Sequence, residues 1–130
     1  MVDEDPGARA VAKASLERAG FMTREAERGE DAVELVRTQR AVLVLLEVSL
    51  PGASGYEICR QLRDEFGELL PIILVSGERT DELDRSAALL LGADAYLTKP
   101  LDANRLLPPV RRLLARARAA ARAATGRRAG

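Results

Sequence analysis

The chain has 130 residues, 47% apolar and 31% charged, the profile of one globular domain long enough to bury a core. No apolar run approaches the ~20 residues that span a bilayer, and the Met-Val-Asp-Glu-Asp-Pro start lacks the basic and apolar regions of a signal peptide. With no histidine and a single cysteine, Cys59, histidine-based catalysis, histidine metal ligation and an internal disulfide are all excluded, and a reducing cytoplasm is the simplest compartment.

In chain order, Asp5-Pro6 reads as a helix start: the aspartate caps, and proline fits the first turn, where its missing N–H costs nothing. Val11, Ala14, Leu16 and Ala19 continue that helix to a stop at Gly20, and Phe21–Ala26 suggests a short polar strand near a sheet edge. A second helix after Gly29 carries Ala32, Val33, Leu35 and Val36. Val42–Leu46 is a continuous apolar run, as expected of a parallel strand covered on both faces. A loop with Pro51, Gly52 and Gly55 leads into a helix through Tyr56, Ile58, Cys59 and Leu62, and Ile72–Val75 is the next strand. Thr80 or Asp81 starts a helix ending near Gly92, and Ala95–Leu97 is a last short strand. Asp102 caps a final helix to about Ala124, in which Pro108-Pro109 predicts a kink or restart. Alternating strands and helices with short loops give an α/β, doubly wound fold, in which chemistry collects at the carboxyl ends of the strands.

The residues at those ends are Asp3, Glu4, Glu47, Ser76 and Lys99. Clustered carboxylates repel one another unless a cation sits among them, and oxygen donors favour Mg²⁺ or Mn²⁺. A hydroxyl and an ammonium opposite them suit an anionic phosphoryl group. Singly, each residue is equally well a helix cap or a solvated loop side chain.

Taken in order, Val2-Asp3-Glu4-Asp5-Pro6, Leu45-Leu46-Glu47-Val48-Ser49-Leu50-Pro51-Gly52 with Gly55, Val75-Ser76-Gly77 and Ala93-Asp94-Ala95-Tyr96-Leu97-Thr98-Lys99-Pro100 resemble the motifs of the response-regulator receiver family. The resemblance implies a flavodoxin-like, parallel five-stranded sheet of order 2-1-3-4-5 flanked by five helices. It implies a receiver domain over residues 1–115, leaving 116–130 as an Ala/Arg-rich helical extension or linker. It also implies a possible, weak Mg²⁺ site at Asp3, Glu4, Glu47 and the backbone carbonyl of Ser49, with Glu4 the direct ligand of the acidic pair. Ser76 and Lys99 would contact the phosphoryl group, and Tyr96 would be the switch aromatic, unless it is an ordinary half-buried strand residue. The implied partners are a sensor histidine kinase or a partner regulator, and the module is non-enzymatic.

Three departures qualify the resemblance. Glu47 stands where the family carries its phosphorylated aspartate, and the added methylene moves the carboxylate about 1.2–1.5 Å further into the pocket. In-line phosphoryl transfer depends on close positioning, so Glu47 is expected not to be phosphorylated. It either imitates the activated state by reaching Ser76 or pairs with Lys99 and holds the inactive one. Second, only Met1 and Val2 precede Asp3, so the first strand is truncated, which leaves backbone groups seeking a partner. Third, the double proline lies in the helix that the family uses for docking. Together with the apolar stripe Leu106, Val110, Leu113 and Leu114, these features suggest a homodimer through the final strand–helix face.

Charge is divided along the chain: residues 1–102 hold 20 acidic and 12 basic side chains, a net −8, whereas residues 103–130 hold eight arginines and no acid, a net +8. An acidic domain followed by a solvated arginine-rich helix accounts for this. Nucleic-acid binding through the arginine tail is the alternative, opposed by the lack of aromatic interleaving and of a helix-turn-helix pattern. DNA contact is otherwise expected through an output domain outside these residues. A degenerate receiver and an ordinary Mg²⁺-dependent phosphorylatable one are separated by a labelling test. A flavodoxin-like cofactor enzyme fares worst, because no glycine-rich phosphate loop follows a strand.

Overall fold

The structure, a computed structural model, describes residues 1–77 and 82–129. Three parallel strands, β1 (Val44–Glu47), β2 (Ile72–Ser76) and β3 (Ala95–Thr98), form a sheet in the order β1-β2-β3. Among the described residues five helices surround it: α1 (Pro6–Arg18), α2 (Gly29–Gln39), α3 (Gly55–Phe66), α4 (Glu82–Leu90) and α5 (Ala103–Ala129).

Alternation along the strands sorts the core into two layers. Val44, Leu46, Ile72, Leu74 and Tyr96 pack with α2, α3 and Ala88 of α4. Leu45, Ile73 and Val75 face the other way, onto Ala12 and Leu16 of α1 and onto Leu106, Val110, Leu113 and Leu114 of α5. Burial on both faces is why β1 and β2 are apolar up to their last residues, Glu47 and Ser76. The lone Cys59 is fully buried in the first layer, and burial pushes its thiol pKa up.

Of the expected five-stranded sheet with a truncated first strand, the described residues show three strands. Beyond β1, Val2 makes single parallel bridges to Leu46 on one side and to Ala26 on the other. Phe21–Ala26 is therefore not a strand: a ladder needs a neighbour, and only residues 1–3 lie alongside. Val42, placed at the start of the apolar run, lies outside β1 and is 68% exposed.

Helix termini follow their capping chemistry. Asp5 accepts from the N–H of Gly7 at 2.9 Å with Pro6 in the first turn, and Gly20 takes φ +94° just past α1. Ser54 caps α3, and Asp102 accepts from Arg105 N at 3.0 Å at the start of α5. The expected α4 start at Thr80 or Asp81 lies outside the described residues.

Instead of restarting at Pro108-Pro109, α5 runs continuously to Ala129. The prolines deprive the carbonyls of Asn104 and Arg105 of their helical donors, but both residues are exposed and water can serve those carbonyls. Burial of Leu106, Val110, Leu113 and Leu114, each at 6% exposure or less, holds the helix on both sides of the proline pair. The same burial places that whole apolar stripe inside the chain.

Candidate functional site

The sheet places three charged residues on one face at its carboxyl edge. Because Val2 lies opposite Leu46, Asp3 falls beside Glu47, both on the α1/α5 side. Lys99 shares the parity of Ala95 and Leu97 and so leaves β3 toward that same side. Its ammonium reaches back over the end of β2 to lie 2.6 Å from Asp3 Oδ2 and 2.9 Å from Glu47 Oε2.

The remaining carboxylate oxygens are held by local backbone. Asp3 Oδ1 accepts from Asp5 N at 2.9 Å, and Glu47 Oε1 accepts from Ser49 N at 3.3 Å. The loop carrying Ser49 is pulled in by Gly55, whose N–H donates to Val48 O at 2.7 Å. Arg9 donates to the backbone carbonyl of Asp3 and pairs with Glu25 at 3.3 Å, tying α1 to the site. Nothing in the sequence singled out Arg9; its signal is its position one turn into a helix that starts beside the acidic pair.

Glu47 is 6% exposed. Burial raises its pKa, and the ammonium of Lys99 opposes that rise without cancelling it. For Lys99 the balance is reversed: burial would lower its pKa, but Asp3 and Glu47 together hold it above the ordinary lysine value. Although Lys99 Nζ stands at hydrogen-bond distance from Glu47 Oε2, that oxygen receives no directed hydrogen bond among the described residues. The Glu47–Lys99 contact is nonetheless a close ion pair, in which hydrogen bonding and charge both favour the ionised forms. One cation serves two carboxylates, so the triad carries a net negative charge when all three groups are ionised.

Of the expected site residues, the structure joins Asp3, Glu47 and Lys99 and places Ser49 against Glu47 through its N–H. Ser76 is buried at the end of β2, and its carbonyl accepts from Lys99 N at 2.8 Å across the strand pair. Tyr96 is 8% exposed and packs in the core on the opposite face of the sheet, more deeply buried than an ordinary half-buried strand aromatic. Glu4, expected as the direct metal ligand, is exposed and apart from the triad. Among the described residues no group of three acidic or thiol side chains gathers for a metal ion. With Lys99 against both buried carboxylates, the donor set as arranged does not fit Mg²⁺.

A second polar cluster, not foreseen from the sequence, pins the loops at the opposite end of the strands. Arg63 of α3 donates to Gly92 O at 2.6 Å, to Gly67 O at 3.0 Å and to the carbonyl of Leu70, and pairs with Asp94 at 2.7 Å. Asp94 in turn accepts from Ile72 N at 2.8 Å. These are structural contacts that set where β2 and β3 begin.

Comparison with known proteins agrees with this architecture. The family model described as the response regulator receiver domain matches residues 1–111. The chain is 38% identical over 116 residues to the transcriptional regulatory protein AfsQ1 of Streptomyces coelicolor, covering 89% of this chain and 50% of that protein. It is 34% identical over 121 residues to the alkaline phosphatase synthesis transcriptional regulatory protein PhoP of Bacillus subtilis, covering 93% and 50%. Among solved structures, a putative response regulator from Chloroflexus aurantiacus superposes with a TM-score of 0.81 at 30% identity, covering 88% of this chain and 93% of that one. The chain belongs to the response regulator receiver family, the signalling modules of two-component systems. It spans about half the length of the curated relatives it matches, and those relatives are named as transcriptional regulators.

Proposed function

We propose that this chain is a degenerate receiver, a signalling module whose pocket is closed by an internal ion-pair triad instead of being poised for phosphoryl transfer. The observation that supports this reading is the placement of Lys99 against both Asp3 and Glu47, at 2.6 and 2.9 Å. In this reading Glu47 takes the phosphoacceptor place, and its longer side chain carries the carboxylate onto the ammonium. A phosphoryl donor then meets an acceptor displaced by about one C–C bond and already engaged by a cation. Pairing of Glu47 with Lys99 favours the inactive over the activated conformation.

Receiver domains generally bind Mg²⁺ at their phosphorylation site. Here a divalent ion has to displace Lys99 from at least one carboxylate, so its binding is weak and Lys99 supplies the neutralising charge instead. Output follows from protein contact, with a sensor histidine kinase or partner regulator in the cytoplasm as the upstream component. Any DNA contact belongs to an output domain outside residues 1–130, with 1–115 as the receiver and 116–130 as the extension toward it. The apolar stripe of α5 is consumed within the chain, so a homodimer uses the neighbouring α4–β3 edge, where Leu89 and Leu90 are 56% and 87% exposed.

Acetyl phosphate with Mg²⁺, followed by mass spectrometry of the intact protein, tests this function. The parent chain is expected to remain unmodified and Glu47→Asp to gain a phosphoryl group. An adduct mapped to Glu47 in the parent would overturn the reading.

A further inference from the structure

The carbonyl of Asp3 is the last main-chain acceptor of the pairing that carries Asp3 to the triad. In a parallel pair every second residue exchanges bonds with the neighbouring segment. Ala26 N donates to Met1 O at 2.9 Å and Asp3 N to Ala26 O at 3.0 Å. The next rung would come from the N–H two residues beyond Ala26. That residue, Arg28, is the N-cap of α2, and the chain there has bent into the helix.

A side chain supplies the donor instead. Arg9 stands one turn into α1, its own N–H donating to Asp5 O at 3.1 Å, and its Nη1 donates to Asp3 O. Its Nε lies 3.3 Å from Glu25 Oε1 and its Nη2 3.5 Å from Glu27 Oε1, so each guanidinium nitrogen has its own acceptor. A rigid planar fork can divide itself in this way, whereas an ammonium is a single point of charge. The side chain is only 12% exposed, and the two glutamates supply the counter-charge that such a buried cation needs. Asp3 is thereby held at every polar atom: N–H on Ala26, carbonyl on Arg9, Oδ1 on Asp5 N, and Oδ2 on Lys99.

We propose that Arg9 is the positioning residue of the triad: it closes the pairing at Asp3, is steered there by Glu25 and Glu27, and so fixes the Asp3 carboxylate against Lys99. The inference rests on the closed-triad reading and deepens it, because closure then depends on a side chain that bonds to neither Lys99 nor Glu47. It also separates Arg9 from Lys13, the other α1 cation on Glu25, which lies 3.5 Å from that carboxylate and makes no bond to Asp3.

The chain has two lysines, Lys13 and Lys99, so the state of the Lys99 amine can be read chemically. Only the neutral amine reacts with acetic anhydride, and an ammonium gripped by two carboxylates is protected. The rate of Lys99 acetylation is measured by peptide mass spectrometry under conditions where urea unfolding shows every variant to be native. Arg9→Met and the milder Arg9→Gln are expected to speed it by about fivefold or more, while Arg9→Lys, which keeps a cationic donor for the carbonyl, and Lys13→Met stay within about twofold of the parent. An unchanged rate in both Arg9→Met and Arg9→Gln, or an equal rise in Lys13→Met, would overturn the proposal. Asp3→Asn tells this failure from that of the triad itself. Lys99 labelled faster in Asp3→Asn but not in the Arg9 variants removes the role of Arg9 alone, whereas no change in Asp3→Asn removes the triad and Arg9 with it.

Discussion

Gly55 approaches the carbonyl of Glu47 so closely that a Cβ there would lie 2.1 Å from that oxygen and 2.8 Å from Val48 Cα. Both obstacles are backbone, so nothing can swing aside. Gly55→Ala must lift the 48–54 loop off the end of β1, at a cost of about 3 kcal/mol. Urea unfolding checks this, and a loss under about 1 kcal/mol would mean that the loop yields freely. This glycine was visible in the sequence only as a turn residue; its role in holding Ser49 against Glu47 depends on an approach between two elements that no local pattern encodes. The positions of Lys99, Asp3 and Glu47, by contrast, were legible, because each stands at the carboxyl end of a strand or bridge.

Among the elements, helices were read more reliably than strands. Asp5-Pro6 and Asp102 start helices through contacts within a few residues, and such local chemistry shows in a sequence. The strand expected at Phe21–Ala26 failed because a strand exists only beside a partner, and here the partner contributes one bridging residue. That short pairing also buries the amino terminus, which lowers the pKa of the Met1 ammonium from 8.0 to about 6. A base with a depressed folded pKa binds fewer protons folded than unfolded between those two values. Stability therefore rises with pH from 6 to 8, by up to about 2 kcal/mol, and this gain is lost as pH falls back through 6. Urea titrations at pH 5.5, 7 and 8.5 read it directly, and blocking the terminus by acetylation should flatten the profile. In α5 the burial pattern divides the helix. Leu113→Ala, at a site 3% exposed, should cost about 2–4 kcal/mol, whereas ending the chain after Ala120 should shift Tm by less than about 2 °C, because residues 121–126 are exposed. A larger loss on truncation would show that the far end of α5 carries packing of its own.

At the scale of the molecule, the fold brings acidic residues from the first bridge and β1 under a lysine delivered by β3, so site and topology are one arrangement. Burial makes the ionised Glu47 costly, and Lys99 recovers part of that cost. With its folded pKa raised, Glu47 adds stability below its unfolded value of 4.5 and loses it as pH rises through the folded value, so the charged form is a net burden at pH 7. Glu47→Gln is accordingly expected to stabilise the protein modestly at pH 7 and to have little effect below pH 4.5. Lys99→Met, which leaves two carboxylates without their cation, should cost about 2–3 kcal/mol at pH 7, less than a fully buried pair because the lysine is about a fifth exposed.

The measurement that bears most directly on the closed triad is the double-mutant cycle formed by these two substitutions, read by urea unfolding at pH 7. The triad predicts that Glu47→Gln stabilises the Lys99→Met background by about 1–3 kcal/mol more than it stabilises the parent, since only there is the buried carboxylate deprived of its ammonium. An equal effect of Glu47→Gln in both backgrounds would contradict it, leaving Glu47 uncoupled from Lys99 and the pocket open to a phosphoryl donor.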